Sequence, residues 1–254
     1  MMDKFSLTVL GGGWAVPTKK TNPAGFLVEA GDKKILMDAG FGILRRMVDF
    51  GFDFQDIDKV FVSHFHADHC CDAFGLIFSR NCNDFRYQRP HKKVLLIGPK
   101  GTEKNFKIWR GIFWPEPNES YPVDFKEGAG KMKLGSVKIQ TFSVQHVPWF
   151  QSLGIIIEFN NKKLVYTGDI GSRHNLQDLA QKAQNADLLI IEASVAKPQL
   201  NHFTLQQVKE LVEKALVKKA LIVHVSPSIF KSVERFCRKE PKFVLSTDGL
   251  RIKI

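Results

Sequence analysis

The stretch that decides the fold occupies residues 60–71 and reads Val60-Phe-Val-Ser-His-Phe-His-Ala-Asp-His-Cys-Cys71. Its apolar start predicts a strand, and four potential metal ligands follow within six residues: His64, His66, Asp68 and His69. Because alternate side chains of an extended backbone point to one side, the first two imidazoles should face the same point. Imidazole and carboxylate groups suit zinc, iron or manganese. The stretch therefore predicts a metal-binding loop that leads into a helix over residues 72–78.

Three further apolar runs of the chain also end at a potential metal ligand, namely His146, Asp169 and His224. A ligand at the end of a strand is held by a rigid element while its head group stays free, which suits a preorganised site. A histidine-rich surface loop would not explain this repetition. The pattern therefore favours a metal centre assembled from distant parts of the chain.

The order of these residues resembles the motif set of the metallo-β-lactamase superfamily. The resemblance extends from the Gly11-Gly12-Gly13 turn to the closing strand at residues 250–254. It implies a four-layer αββα sandwich of the α/β class, and the alternation of strands and helices in two halves of the chain fits that architecture. We expect one domain over residues 1–254, with an irregular insert near residues 80–130 that includes loops over residues 80–90 and much of 111–130.

The resemblance also implies two divalent metal ions, zinc being expected and manganese or iron being alternatives. One ion would be bound by His64, His66 and His146. The second ion would be bound by Asp68, His69 and His224. Asp169 would bridge the two ions together with a water or hydroxide. True β-lactamases of this fold commonly have cysteine at the position of Asp169, which argues against antibiotic hydrolysis.

The opening of the chain resembles ribonuclease Z and its phosphodiesterase relatives more specifically. The shared features are Gly11-Gly12-Gly13, Pro17-Thr18, Asn22, residues 36–42 and Arg45-Arg46. In the superfamily, a residue that matches Asp38 supports the metal-binding loop without binding metal itself. The alternative for this aspartate is a role in a turn or in capping a helix.

His202, in the sequence His202-Phe203-Thr204, resembles the histidine that these enzymes place beside the phosphate. There it donates a proton to the leaving oxygen or neutralises charge, and Glu192 matches an acidic residue that orients it. The expected catalytic residues are therefore Asp68, His202 and Glu192. A helix follows His202 with a Thr204–Gln207 capping box, so a capping or core histidine is the alternative interpretation.

These residues predict a metal-dependent hydrolase, a phosphodiesterase or nuclease that resembles ribonuclease Z. Ribonuclease Z usually carries a tRNA-binding arm between the motifs that match His146 and Asp169, and here only a hairpin fits between them. The alternatives are a glyoxalase II-like thioesterase or lactonase, for which His202 would be inessential, and a non-enzymatic binding protein with an unused site.

Composition limits the partners. The net charge of +11 and pI near 9.5 favour an anionic partner such as a phosphate ester or RNA, with a generally basic surface as the alternative. The longest cluster of positive charge along the chain falls in residues 80–107. Apolar runs are too short to span a bilayer, no signal peptide is recognised, and the four cysteines suit a reducing compartment, so we expect a cytoplasmic protein. A homodimer is a further expectation.

Overall fold

A computed structural model describes residues 4–89, 92–115 and 123–254, which form two seven-stranded sheets covered by helices. The strands are β1 (Phe5–Gly11), β2 (Gly25–Ala30), β3 (Lys33–Ala39), β4 (Lys59–Phe61), β5 (Val94–Gly98), β6 (Val123–Glu127), β7 (Gly130–Leu134), β8 (Val137–Val144), β9 (Ser152–Phe159), β10 (Lys162–Tyr166), β11 (Leu188–Glu192), β12 (Ala220–Val223), β13 (Phe243–Leu245) and β14 (Arg251–Lys253). The helices are α1 (Ile43–Asp49), α2 (Ala67–Tyr87), α3 (Thr102–Phe113), α4 (Leu176–Ala183), α5 (Leu205–Lys214) and α6 (Phe230–Lys239). Within these described ranges, no helix has the length and apolar character needed to cross a bilayer.

The first sheet has the strand order β14-β1-β2-β3-β4-β5-β6, and the second has the order β13-β12-β11-β10-β9-β8-β7. Side chains such as Leu7 and Ile190 are fully buried between the two sheets. A second apolar layer, which includes Leu76, joins helices α1–α3 to the first sheet, and a third, which includes Leu211, joins α4–α6 to the second. Each such side chain contributes about 1.5–3 kcal/mol through burial. The predicted αββα sandwich is confirmed.

Two hairpins have the turns expected from the sequence. Strand β2 pairs antiparallel with β3 across Gly31-Asp32, and β9 pairs with β10 across Asn160-Asn161. The two asparagines have φ angles of 48° and 59°, a left-handed conformation that asparagine adopts more readily than most residues. Positive φ at both turn positions matches the twist of the flanking strands. The turn therefore sets the register with which β10 runs towards Asp169.

The loop predicted for residues 80–90 is wrong over most of its length, because α2 continues to Tyr87. The buried face of this helix includes Arg80 and Asp84, so polar side chains occupy positions where apolar residues would signal a helix. The Arg80 guanidinium is fully buried and donates to the carbonyl oxygens of Ile57 at 2.7 Å and Lys92 at 3.0 Å. Its hydrogen bonds let a charged residue belong to the core.

Regular structure also occupies part of residues 111–130, where an irregular course was predicted. Helix α3 continues to Phe113, and strand β6 adds to the edge of the first sheet beside β5. The parts of these predictions that concern residues 90–91 and 116–122 lie outside the described residues. The boundaries of an insert near residues 80–130 stay a prediction.

Several strands end together at one edge of the sandwich. Strands β10, β11 and β12 are parallel, and β8 runs in the same direction because β9 is antiparallel to both β8 and β10. In the first sheet, β3 and β4 are also parallel. The residues that follow these strands therefore meet at this edge, which brings together side chains that are far apart in the sequence.

Candidate metal centre

The first group of donor atoms comes from the loop after β4 and from the end of β8. The Nδ1 atom of His66 lies 3.0 Å from Nε2 of His64 and 3.3 Å from Nε2 of His146. Nitrogen ligands at 2.0–2.1 Å from a tetrahedral zinc are about 3.3 Å from one another. Three imidazole nitrogens thus converge at the spacing that one metal ion requires.

The second group combines the start of α2 with the residue that follows β12. The Nε2 atom of His224 lies 3.1 Å from Oδ2 of Asp68, and Nε2 of His69 lies 3.6 Å from the same oxygen. The His69 Nε2 atom is buried and accepts or donates no hydrogen bond within the described part of the chain. A buried polar atom without a partner is costly unless something binds it. This nitrogen is therefore placed where a metal ion held by these donors could bind it.

The Asp169 carboxylate lies between the two groups. Its Oδ1 atom is 3.4 Å from Nε2 of His69, and its Oδ2 atom is 3.6 Å from Nε2 of His224. Oδ2 is also 4.0 Å from Nε2 of His64 and 3.9 Å from Nε2 of His146. One carboxylate can therefore serve both groups, as a bridging ligand would.

Burial tunes the protonation of these ligands. It lowers the pKa of His64 well below its ordinary value and the pKa of His146 to about 4. Burial by itself raises the pKa of Asp169, but the surrounding histidines, His224 and His69 foremost, outweigh it and hold this pKa well below its ordinary value. Neutral imidazoles and an ionised carboxylate are the forms that bind metal. The donor set, together with the His69 nitrogen, fits a divalent metal site.

A buried aspartate, Asp38, supports the metal-binding loop through hydrogen bonds. Asp38 accepts hydrogen bonds from the backbone N–H and the hydroxyl of Ser63, both at 2.7 Å, and from the hydroxyl of Tyr166 at 2.6 Å. Its Oδ2 atom also lies 2.7 Å from Nδ1 of His69. The bond at Nδ1 directs Nε2 of His69 towards the other donors. The predicted supporting position of Asp38 is therefore occupied as expected, and Tyr166 is a partner that the sequence did not reveal.

Other ligands are oriented by groups with no sequence signal of their own. The Ser63 hydroxyl lies 2.9 Å from Nδ1 of His64, and the Ser194 hydroxyl lies 3.0 Å from Nδ1 of His224. The carbonyl oxygen of Asn201 accepts from Nδ1 of His146 at 2.6 Å. Such bonds at the far ring nitrogen set the tautomer and direction of a metal-binding histidine. Serine hydroxyls and backbone carbonyls recur throughout the chain, so only the fold shows which of them orient these histidines.

The expected pair of His202 and Glu192 is assembled beside the donors. Nδ1 of His202 lies 3.0 Å from Oε1 and 2.9 Å from Oε2 of Glu192. Glu192 itself is fixed by the backbone N–H of Ile170, which donates to Oε1 at 2.8 Å. The His202 ring stacks on that of His224 with centroids 5.7 Å apart. The histidine thus faces the metal ligands, although the Thr204–Gln207 capping box predicted after it is also present.

The Glu192 carboxylate also sets the charge of its partner. Burial by itself lowers the pKa of His202, but the hydrogen bond and negative charge of Glu192 outweigh it, so the pKa lies above its ordinary value. The His202 side chain is 17% exposed, whereas that of Glu192 is 1% exposed. Glu192 therefore favours the charged form of an imidazole ring that lies at the boundary between the buried donors and solvent.

Two aromatic residues near His146 have different environments. The Phe150 ring stacks on His64 with centroids 5.8 Å apart and meets His66 edge-on at 5.0 Å. Trp149 is 78% exposed. Phe150 therefore walls the donor cluster, while Trp149 projects into solvent.

A cavity of about 820 Å³ opens beside His202. Its lining includes Trp14, Lys197, Asn201, Ser226 and Ser228. The cavity is large enough for a small organic ligand and combines an aromatic ring with hydroxyl and ammonium groups. A substrate lying here would have one end at His202.

Known proteins with this architecture resemble the chain over nearly its full length. Ribonuclease Z of Archaeoglobus fulgidus is 22% identical over 96% of this chain and 94% of its own length. The metallo-β-lactamase-fold protein YhfI of Bacillus subtilis superposes with a TM-score of 0.81 at 20% identity, covering 99% of this chain and 100% of that chain. A diphosphatase of the PhnP family superposes with a TM-score of 0.77 at 22% identity, covering 99% and 98%.

The chain thus has the metallo-β-lactamase fold and is similar in sequence to ribonuclease Z. The sequence model of one family matches residues 5–240. The chain belongs to that family, which is described as anti-Pycsar protein Apyc1. The sequence motifs predicted the fold and the similarity to ribonuclease Z and did not identify this family.

Proposed function

We propose that the protein is a metal-dependent phosphodiesterase in which His202 acts on the scissile phosphate. The observation that carries the proposal is the His202–Glu192 pair beside a complete set of metal ligands. An acyl or thioester group is uncharged before attack, and metal ions at the site would already supply its nucleophile and stabilise its oxyanion. A phosphodiester, by contrast, carries negative charge that an imidazolium can neutralise.

The residues of the site would have separate roles in this reaction. The two donor groups and Asp169 hold two divalent ions, which when bound supply a nucleophile at neutral pH and polarise the attacked group. Asp68 is the carboxylate of the centre with more access to solvent, with its side chain 12% exposed against 3% for Asp169. We assign it the proton released by the nucleophile. His202 donates a proton to the leaving oxygen, and Glu192 keeps its ring oriented and charged.

A small or cyclic phosphodiester is the substrate that the shape of the chain supports best. Residues 147–168, between His146 and Asp169, contain the β9–β10 hairpin and no additional arm. A long RNA substrate would need contacts elsewhere on the surface. The cavity beside His202 has room for one nucleotide-sized group, which fits a small diester more directly than a folded RNA.

The finer properties predicted from the sequence belong to the same proposal. We propose zinc as the metal, with manganese or iron as alternatives, and two ions per chain. The four cysteines form no disulfide within the described part of the chain, which suits a reducing compartment such as the cytoplasm. A homodimer is proposed as well, and light scattering of the metal-loaded protein tests it.

Parallel assays of the metal-loaded protein on bis-p-nitrophenyl phosphate and on a thioester test the function. We expect diester hydrolysis to exceed thioester hydrolysis. The change His202→Ala should lower diester turnover about 10²–10⁴-fold, the usual contribution of a positioned acid, while metal content stays at the wild-type level. Glu192→Gln is the matched variant, because it retains a hydrogen-bonding group and removes the charge, and its loss should be smaller. Strong thioester hydrolysis that His202→Ala leaves unchanged would establish the thioesterase alternative.

A further inference from the structure

The outer face of the second sheet is only partly covered by helices. Val137 and Ile139 on β8 lie between the sheets, so Lys138 between them points to the outer face. A groove of about 530 Å³ lies on this face beside α4. Its charged lining, which we call the lysine groove, consists of Lys131, Lys133, Lys138, Lys163, Lys182 and Glu158. Five positive charges against one negative charge make it a basic surface.

Strand register places four of these side chains in one row across the sheet. Lys133 lies opposite Lys138, Lys138 opposite Glu158, and Glu158 opposite Lys163. Like charges directly opposite each other destabilise a sheet. Within residues 4–89, 92–115 and 123–254, neither Lys133 nor Lys138 has a carboxylate within the 4.0 Å of an ion pair. Glu158 offsets part of this charge, and the row of three lysines and one glutamate keeps a net positive charge.

Protection of a sheet edge explains part of this pattern but not all of it. Strand β7 is the last strand of the second sheet, and lysines on an edge strand hinder pairing with another chain. That role suits Lys131 and Lys133. Lys138 and Lys163 lie on β8 and β10, which are paired on both sides and need no such protection. Their charges call for a different explanation.

The basic cluster seen in the linear sequence contrasts with this groove. Many of the positive side chains in residues 80–107 have partners, since Lys92 pairs with Asp58 at 3.2 Å and Lys107 with Glu103 at 2.6 Å. Arg80 is buried in the core. The positive charge of that region is thus largely used within the protein.

In the groove, Lys182 contacts Asp178 at 3.7 Å and Lys163 donates to the carbonyl oxygen of Gln184 at 3.1 Å. Lys131, Lys133 and Lys138 form no ion pair within the described ranges, so their charge is available to a ligand.

The groove continues into a second cavity of about 790 Å³ that shares Lys138, Glu158 and Lys163 with it. This cavity extends to Lys162 and Lys218, both of which contact Asp187, at 3.0 Å and 2.9 Å. A small anion would need buried donors that converge on one point, and here the charges are spread along an open trough. Lysine ammonium groups attract phosphate without the fixed bidentate geometry of arginine. The shape and charge suit an extended polyanion.

We propose that the lysine groove binds the phosphate backbone of single-stranded nucleic acid without base specificity. Met132 packs towards the core between the sheets and Ile156 is buried, so the groove offers ionic contacts to a backbone and no platform that would select bases. A nucleic-acid backbone carries one negative charge at every nucleotide, which suits charges spread along a trough. An acidic peptide has the same sign of charge, and the poly-glutamate comparison below separates the two. The six steps along β8 from Lys138 to Val144 separate the groove from the metal end by roughly 20 Å. Binding there is therefore independent of the proposed catalysis.

Fluorescence anisotropy with a labelled single-stranded RNA of about 20 nucleotides tests the proposal, because such sites span about 4–16 nucleotides. The metal-loaded wild-type protein should bind, and its affinity should fall steeply between 50 and 200 mM salt through counterion release. A triple variant with Lys131→Glu, Lys133→Glu and Lys138→Glu should bind at least about tenfold more weakly. Its logarithmic salt dependence should be shallower by about 2, from roughly 0.7 per lost phosphate contact.

A matched variant separates the groove from net charge. Lys214→Glu, Lys231→Glu and Lys239→Glu change the same number of exposed lysines on α5 and α6. This control should retain RNA affinity within about twofold, and both triple variants should keep wild-type hydrolysis of a small diester. Equal losses of RNA affinity in both variants would overturn the proposal. So would no RNA binding by the wild type at 50 mM salt, or tighter binding of a poly-glutamate peptide than of RNA.

Discussion

The two ends of the second sheet are built on the same strands and differ in almost every physical property. Strand β8 begins beside Lys138 and leads to His146, and β10 begins beside Lys163 and leads to Asp169. At the metal end these side chains are buried and bonded on several sides. At the groove end the lysines are exposed or half-buried and have few partners within the described residues.

This difference shows how one scaffold supports two kinds of binding. At the metal end, the positions of the donor side chains are fixed before a metal ion binds. Each buried imidazole ring is held there by a hydrogen bond at its other nitrogen. One substitution there should have a large effect. In the lysine groove, each lysine contributes only a small amount of binding free energy, because salt in the solvent screens its charge. One substitution there should have a small effect, and only several together should be easily measured.

The largest effect is expected from Asp169→Ala at the metal end. The carboxylate approaches donors of both groups, so its loss should lower diester turnover roughly 10⁴-fold, as the loss of a single essential group does elsewhere. Metal content, measured by plasma mass spectrometry, should fall below the wild-type value. Circular dichroism checks that the variant folds, and Asp169→Asn is the matched variant of equal size. Two tightly bound ions per chain in both variants would exclude a bridging role.

An intermediate effect is expected one step away from the donors, at Asp38→Asn. This change weakens the hold on His69, and loss of such a supporting group typically costs 10–100-fold in metal affinity. Competition with a chelator of known affinity measures it. Tyr166→Phe removes only one of the hydrogen bonds to Asp38 and should cost less. If Asp38→Asn binds metal as tightly as the wild type does, the aspartate supports the fold and not the metal site.

The sequence predicted the parts of the centre that depend on residue type and chain position. His146, Asp169 and His224 each follow an apolar run, so their place in the chain marked them as candidates. The resemblance to ribonuclease Z paired His202 with Glu192, and the structure brings these two together. The hairpin turns were equally accessible, because Gly-Asp and Asn-Asn signal tight turns locally.

Features that depend on three-dimensional neighbours were not accessible in the same way. The hydroxyls of Ser63 and Ser194 orient ligands, but nothing local distinguishes them from other serines. Helix α2 was predicted too short because Arg80 occupies its buried face through hydrogen bonds and not through apolar character. The lysine groove was missed because Lys133 and Lys163 become neighbours in one row only through strand register.

The smallest effect is expected in the lysine groove from Lys133→Glu. Unlike the losses expected from the changes above, it is a gain, namely in the stability of the fold. This change replaces a like-charge pair across β7 and β8 by an opposite-charge pair with Lys138. It should raise the free energy of unfolding by about 0.2–1 kcal/mol, measured by urea denaturation at constant metal saturation. Lys131→Glu is the control, because Lys131 lies opposite Gln140 and gains no such pair. High salt should reduce the difference between the two variants, whereas equal stabilisation of both would assign it to the lower net charge of the chain.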